Sequence, residues 1–132
     1  MREHLFKAKR LDNGIWAEGS LVISDSTCHA RVFIVEEIKT VRCDPYTDTL
    51  TYGPFIEVGP STVCEFTGLL DKNGKKIFEG DIVHVVCSWD SANMIVSYEA
   101  CAFVLKTLDK IGFKYLGYMN DLEVIGSIHD KE

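Results

Sequence analysis

The chain has 132 residues, 46% of them apolar and 26% charged, a mixture that excludes intrinsic disorder and supports a core without metals or disulfides. That length fits one compact domain or two very small ones. Fourteen Lys and Arg against twenty Asp and Glu give a net charge of −6, which argues against a broad nucleic-acid footprint, because neutralising phosphates needs cations.

Turn signals recur every ten or so residues, and the segments between them alternate apolar with polar. Asn13-Gly14 suits positive φ at both central positions of a tight turn and predicts a hairpin joining residues 5–9 to residues 15–23. Residues 24–27, Ser-Asp-Ser-Thr, form a polar loop. Arg31-Val32-Phe33-Ile34-Val35 is β-branched and aromatic, hence a strand. Asp44-Pro45 marks a turn, because the residue before Pro leaves the helical region. Residues 44–62 read either as a long hairpin or as a linker. Tyr52-Gly53-Pro54 and Val58-Gly59-Pro60 punctuate it, with each Pro at a strand end or edge.

Asp71-Lys72-Asn73-Gly74 is the cleanest turn, and an apolar strand begins at Ile82. On that strand Val83 and Val85 face one side, and Ile82, His84 and Val86 the other. Asp90 to Asn93 closes the strand. Residues 94–107 are too long for one strand and bend near Ala100-Cys101-Ala102. Asp109 to Gly112 makes another turn. One helical turn is expected at residues 118–122, capped by Asn120 with Glu123 at the capping-box spacing. Residues 123–128 form a last strand. No 3.6-residue period is sustained, so the chain reads as all-β, a small barrel or sandwich.

The longest apolar run, residues 82–87, is six residues and includes a His, against about 20 for a membrane-spanning helix. The first residues lack an apolar core of signal-peptide length, so a reducing cytoplasm is the expected compartment. The five cysteines (28, 43, 64, 87 and 101) are odd in number, dispersed and without a CxxC, and read as buried apolar-like side chains. Residues 1–44 hold seven basic and seven acidic residues, whereas residues 45–132 hold seven basic and thirteen acidic.

Residues 68–83, Gly-Leu-Leu-Asp-Lys-Asn-Gly-Lys-Lys-Ile-Phe-Glu-Gly-Asp-Ile-Val, resemble the signature of the YopX-like proteins of bacteriophages and prophages. Phe6 to Gly14 with Trp16, Glu18 and Gly19 resembles that family's opening hairpin. Asn120 to Ile128 resembles its C-terminal motif. Val63 to Thr67 leads into the signature in a similar way, although Cys64 and Glu65 stand where a Gly-Gln pair is usual. The resemblance implies one domain over 1–132, with an N-terminal β-hairpin subregion over 1–59 and an SH3-like barrel over 60–132. It implies no established activity.

Catalytic, cofactor and metal sites are not expected. Zinc wants four Cys or His ligands in close pairs, and His84 and Cys87 would face opposite sides of a strand. Cys28 beside His29 holds the atoms of a nucleophile and base without a motif. No phosphate loop, HExxH or GxSxG occurs. A candidate binding surface remains. Lys72, Lys75 and Lys76 keep the central turn solvated, and basic and aromatic residues interleave at Phe103 to Lys106 and at Phe113, Lys114 and Tyr115. Trp89 and Lys106 complete the set, and Trp16, Tyr98 and strand edges add surface for pairing. The expected function is that of a non-enzymatic phage or prophage accessory protein working through contacts with itself or with a host or phage protein. Nucleic-acid binding is the alternative, disfavoured by acidity in the half that would carry it.

Overall fold

A computed structural model describes residues 4–24, 30–36, 39–44, 47–86, 91–99, 101–107, 113–115 and 122–130. Thirteen strands are present among them: β1 (Phe6–Lys9), β2 (Trp16–Ile23), β3 (Val32–Val35), β4 (Lys39–Asp44), β5 (Thr47–Thr51), β6 (Phe55–Val58), β7 (Cys64–Leu70), β8 (Lys76–Phe78), β9 (Asp81–Val86), β10 (Ser91–Glu99), β11 (Ala102–Thr107), β12 (Phe113–Tyr115) and β13 (Leu122–Ser127). A single 3₁₀ turn, Pro60–Thr62, follows β6. The all-β expectation holds. The expected helical turn at 118–122 lies outside the described residues, except that Leu122 opens β13. The chain divides into two compact units, His4–Val63 and Cys64–Glu132.

In the N-terminal unit the strands run β6-β3-β2-β1, each antiparallel to its neighbour. The alternation in sequence decides which face is apolar. Ala8, Ala17, Val32, Ile34 and Val58 are buried together, with Phe6, Leu21, Ile56 and Val63 packed on them. Beyond β1 the chain returns to the far edge of β6. Arg10 bridges Val58, Leu11 N–H donates to the Glu57 carbonyl (3.1 Å), and Gly59 N–H donates to that of Lys9 (2.9 Å). The Thr62 hydroxyl locks the corner, accepting from Lys9 N–H at 2.9 Å and donating to the Gly59 carbonyl at 2.7 Å. Strands β4 and β5 form a separate hairpin, so the 44–62 region is neither one long hairpin nor a linker.

The predicted β1–β2 hairpin forms, with Ala8 opposite Ala17, but its turn differs from the expected two-residue type. The loop holds four residues, 11–14, closed by Arg10 N–H to the Ile15 carbonyl (2.9 Å) and Gly14 N–H to the Arg10 carbonyl (2.9 Å). Gly14 has φ +70°, whereas Asn13 keeps negative φ and its side-chain oxygen accepts from Ile15 N–H at 2.9 Å. The Asn works through its side chain, as an Asx bond, so only the Gly needs the left-handed region.

The C-terminal unit is built on a five-stranded antiparallel sheet, β12-β11-β10-β9-β13. Its core gathers Ile77, Val83, Val85, Met94, Val96, Leu105, Leu122 and Val124. Val83 and Val85 are buried while Ile82 and His84 are half-buried, as the period of two requires. Each fully buried Val or Leu contributes about 1.5–3 kcal/mol. Ser91 to Asn93 do not close β9. They belong to β10 and pair with Val86 to His84. The expected bend at 100–102 is a hairpin turn, with Glu99 opposite Ala102 and Cys101 at φ +62°.

Two aspartates hold this unit together. Asp71 is buried, and its Oδ1 accepts from the N–H groups of Asn73 and Lys75, both at 2.8 Å. Its Oδ2 accepts from Val124 N–H on β13 at 3.0 Å, while Lys72 N–H donates to the Leu122 carbonyl at 2.9 Å. Gly74, at φ +82°, completes the turn by donating its N–H to the Asp71 carbonyl at 3.0 Å. Asp81 is buried too, and its Oδ2 accepts from Phe78 N–H at 2.8 Å. Gly80 beside it has φ +85°, receives Ile128 N–H on its carbonyl and donates to the Val96 carbonyl.

Burial opposes ionisation of Asp71, but the N–H donors of Val124, Lys75 and Asn73 outweigh it and hold the carboxyl below its usual range. Asp71→Ala is therefore expected to cost about 2–4 kcal/mol in chemical denaturation, because charge-assisted bonds are lost and buried N–H groups are orphaned. The charge-dependent share is present above the unfolded Asp value of about pH 4 and disappears as pH falls through the lower folded value. Asp71→Asn should remove that acid-side slope. Glu79 behaves oppositely. Burial, then the charge of Glu65, raises its pKa, so its ionised form opposes folding. Glu79→Gln should stabilise at pH 7, and the gain should vanish below the unfolded Glu value of about pH 4.3.

Candidate functional site

The residues singled out from sequence fall on different elements of the C-terminal unit. Lys72 and Lys75 are exposed at the Asp71 turn, and half-buried Lys76 opens β8 opposite Leu70. The turn is tied to β13, at one edge of the five-stranded sheet. Lys106 lies on β11, and Phe113, Lys114 and Tyr115 form β12 at the opposite edge, with Phe113 in register with Lys106. Four inter-strand steps separate the edges, about 19 Å along the sheet. The side chains of Phe113, Lys114 and Tyr115 lie outside the described residues, as does Trp89 altogether.

Two of these lysines are matched by acids. Lys72 Nζ stands 3.5 Å from Glu123, and Lys106 pairs with Glu99. Phe103 is half-buried against the C-terminal core, with its ring 4.9 Å from that of Tyr98 in an edge-on contact. Core packing and the Tyr98 contact together leave the Phe103 ring only partly exposed.

Cys64 is buried, as expected of the cysteines, but Cys101 is exposed because the hairpin turn carries it out of the sheet. The side chain of Cys43, and Cys28, His29 and Cys87 entirely, lie outside the described residues. His84 Nδ1 is 2.9 Å from the Asn93 side-chain oxygen. Among the described residues no three His, Cys, Asp or Glu side chains converge as metal ligands, and no helix is long and apolar enough to cross a membrane.

A different surface emerges in the N-terminal unit. The sheet face opposite the core carries Lys7, Lys9, Trp16, Phe33, Phe55 and Glu57, by the period of two that buries Ala8, Ala17, Ile34 and Val58. Toward one end, Lys7 and Lys9 lie over the Trp16 ring at 4.6 and 5.5 Å. Toward the other, Phe55 contacts Phe33 at 6.0 Å and Tyr52 at 5.8 Å between ring centroids. Arg31 lies 5.2 Å from the Phe33 ring and clasps Glu57 with two hydrogen bonds, at 3.0 and 2.7 Å.

Beside Phe55 is an open recess of about 520 Å³. Arg10, Leu11 and Asp12 wall one side, and Glu36, Pro54, Phe55 and Glu57 the other. Its apolar side chains are unusually exposed, Leu11 by 61% and Phe55 by 51%, and neighbouring Tyr52 by 61%. Arg10 and Asp12 are joined at 3.0 and 2.8 Å, a hydrogen bond and charge contact that holds Asp12 low and Arg10 high. The Arg31 fork likewise lowers Glu57. Asp12 and Glu57 therefore stay ionised at neutral pH.

Sequence reading missed this recess. Its available signal was Tyr52-Gly53-Pro54-Phe55, aromatics flanking a Pro at a strand start, but Leu11 lies more than forty residues earlier in the chain.

A family model described as YopX protein matches residues 5–132. No curated protein matches the chain. Among solved structures, the crystal structure of protein EF1440 from Enterococcus faecalis is similar with a TM-score of 0.62 and 22% identity, covering 99% of this chain and 96% of that chain. At that identity the likeness concerns the fold. The family match extends across nearly all of the sequence, both units included, and the chain belongs to the YopX family.

Proposed function

We propose that the protein is a phage- or prophage-encoded accessory protein, non-enzymatic, acting in the bacterial cytoplasm by contact with another protein. The observation that carries this reading is the recess of the N-terminal unit, where Leu11 and Phe55 stay more than half exposed beside ion-paired rims. Apolar side chains rimmed by charge are the usual anatomy of a protein contact surface. The C-terminal unit we read as an SH3-like barrel. The return of β13 onto β9 in the order β12-β11-β10-β9-β13 supports it.

Nucleic-acid binding has weaker support. Lys72 and Lys106 are neutralised by Glu123 and Glu99, and the unit from Cys64 to Glu132 carries seven basic residues against eleven acidic. Fluorescent single- or double-stranded DNA or RNA should show no binding even at low salt.

The protein reading is tested by capture from host lysate with the chain tagged in turn at either end. A partner should be retained by the wild type and lost, at least about tenfold, with the paired variant Leu11→Ser and Phe55→Ser, since exposed apolar anchors dominate such contacts. Circular dichroism of the variant should be unchanged, because both side chains lie outside the core. Equal retention by the variant would remove the recess from the contact, and no specific partner with either tag would remove the reading itself.

A further inference from the structure

We propose that the open half of the β6 edge takes an extended, basic segment of a partner polypeptide as an added strand, its apolar side chain seated in the recess against Leu11 and Phe55. This rests on the protein-contact reading above and specifies how the contact is made and what chemistry it selects.

Backbone directions come first. In the β6 ladder, Leu11 N–H reaches the Glu57 carbonyl and Gly59 N–H reaches the Lys9 carbonyl, on either side of the Arg10–Val58 bridge. These bonds place the backbone groups of Glu57 and Gly59 on the edge away from β3. Backbone groups alternate along an antiparallel strand, so the N–H and C=O of Phe55 point to that same edge. Past Leu11 the chain leaves β6 for the loop closed by Gly14 N–H on the Arg10 carbonyl. Among the described residues nothing pairs with Phe55 there. The ladder starts and stops halfway along a four-residue strand.

The recess begins where the ladder stops. An incoming strand that continues the course of Arg10 and Leu11 meets the Glu57 N–H and both backbone groups of Phe55, the geometry of strand addition. Gly53, the next residue whose N–H would face this edge, donates it to the Glu36 carbonyl instead (3.2 Å), so the added ladder is short. Side chains must therefore supply much of the affinity. Alternate residues of the segment face the recess, where Leu11 and Phe55 contribute apolar surface.

Charge selects the occupant. Three carboxylates (Asp12, Glu36 and Glu57) line the recess, and Arg10 and Arg31 pair with Asp12 and Glu57, so the excess negative charge is that of Glu36, in a chain of net charge −6. Lysines or arginines on the segment meet this excess, whereas a second copy of the chain brings the same acidic balance.

The test uses the intact protein and three synthetic nine-residue peptides. One alternates Lys with Thr around a central Phe. The second replaces every Lys with Glu. The third is the first with alternate backbone amides N-methylated on the pairing edge. Binding is followed by amide chemical shifts and hydrogen exchange. The Lys peptide should bind, slow exchange at Phe55 and Glu57 by at least about tenfold, and weaken by about tenfold with Glu36→Gln, while the Glu and N-methyl peptides lose at least about tenfold in affinity. Equal binding of the Glu peptide would overturn the charge selection. Binding of the Lys peptide without protection at Phe55 and Glu57, or equal binding of the N-methyl peptide, would overturn strand addition, as would no binding at millimolar concentration. A lysate partner still lost with Leu11→Ser and Phe55→Ser alongside such a peptide result would retain the recess as a contact while discarding the added strand. Peptide protection without any lysate partner would support the edge chemistry and discard the cellular reading.

Discussion

Asp71 accepts three backbone hydrogen bonds with one buried carboxylate, and the C-terminal unit depends on it. Two donors, Asn73 and Lys75, shape the turn that joins β7 to β8, and the third, Val124, belongs to a strand 53 positions away. A local turn and a remote strand are thereby set by the same side chain. The burial cost of the charge is offset because its acceptor positions are used by fixed N–H groups rather than by water. β13 carries a register shift between Val124 and Gly126, with Ile125 exposed, just beside this bond. A bulge there blunts the sheet edge where pairing with another strand would otherwise continue.

The signature that marks the family is thus explained by architecture. Asp71 and Gly74 form the turn, Gly80 adopts positive φ and receives Ile128, and Asp81 holds the Phe78 amide. Lys72 and Lys75 keep the tip in water. Asp71, Gly74, Gly80 and Asp81 each act at a place where the backbone would otherwise be unsatisfied or strained. The N-terminal unit uses a neutral version of the same device, in which Thr62 accepts from Lys9 and donates to Gly59. The hydroxyl serves there because it must both give and receive, which a carboxylate cannot do.

Much of the fold was legible because strands and turns are written locally. The alternation of Ile82 to Val85 assigned faces correctly, and Asn73-Gly74 marked its hairpin. Errors arose where two local solutions compete. At Asn13-Gly14 a side-chain bond replaced positive φ at Asn13, lengthening the loop. At Ser91 to Asn93 polar residues with turn character were drawn into β10, because pairing with β9 satisfies their backbone. Cys101 resembled a core residue by type, yet a two-residue turn forces it outward.

The candidate surface was much less legible, and the cause is strand order. Lysines and aromatics of the C-terminal unit resembled a binding face when read along the chain, but the order β12-β11-β10-β9-β13 places them on non-adjacent strands. Conversely, Leu11 and Phe55 become neighbours through the Arg10–Val58 bridge, which no periodicity announces. By itself the sequence determined the β class, most strand positions, the inward faces and the family, since propensity, period and turn chemistry act over a few residues. The tertiary structure alone decided which strands are neighbours, hence the partner of Asp71, the half-open edge of β6 and the recess beside it. Those depend on long-range pairing, whose free energy comes from joint burial of distant segments rather than from any one of them.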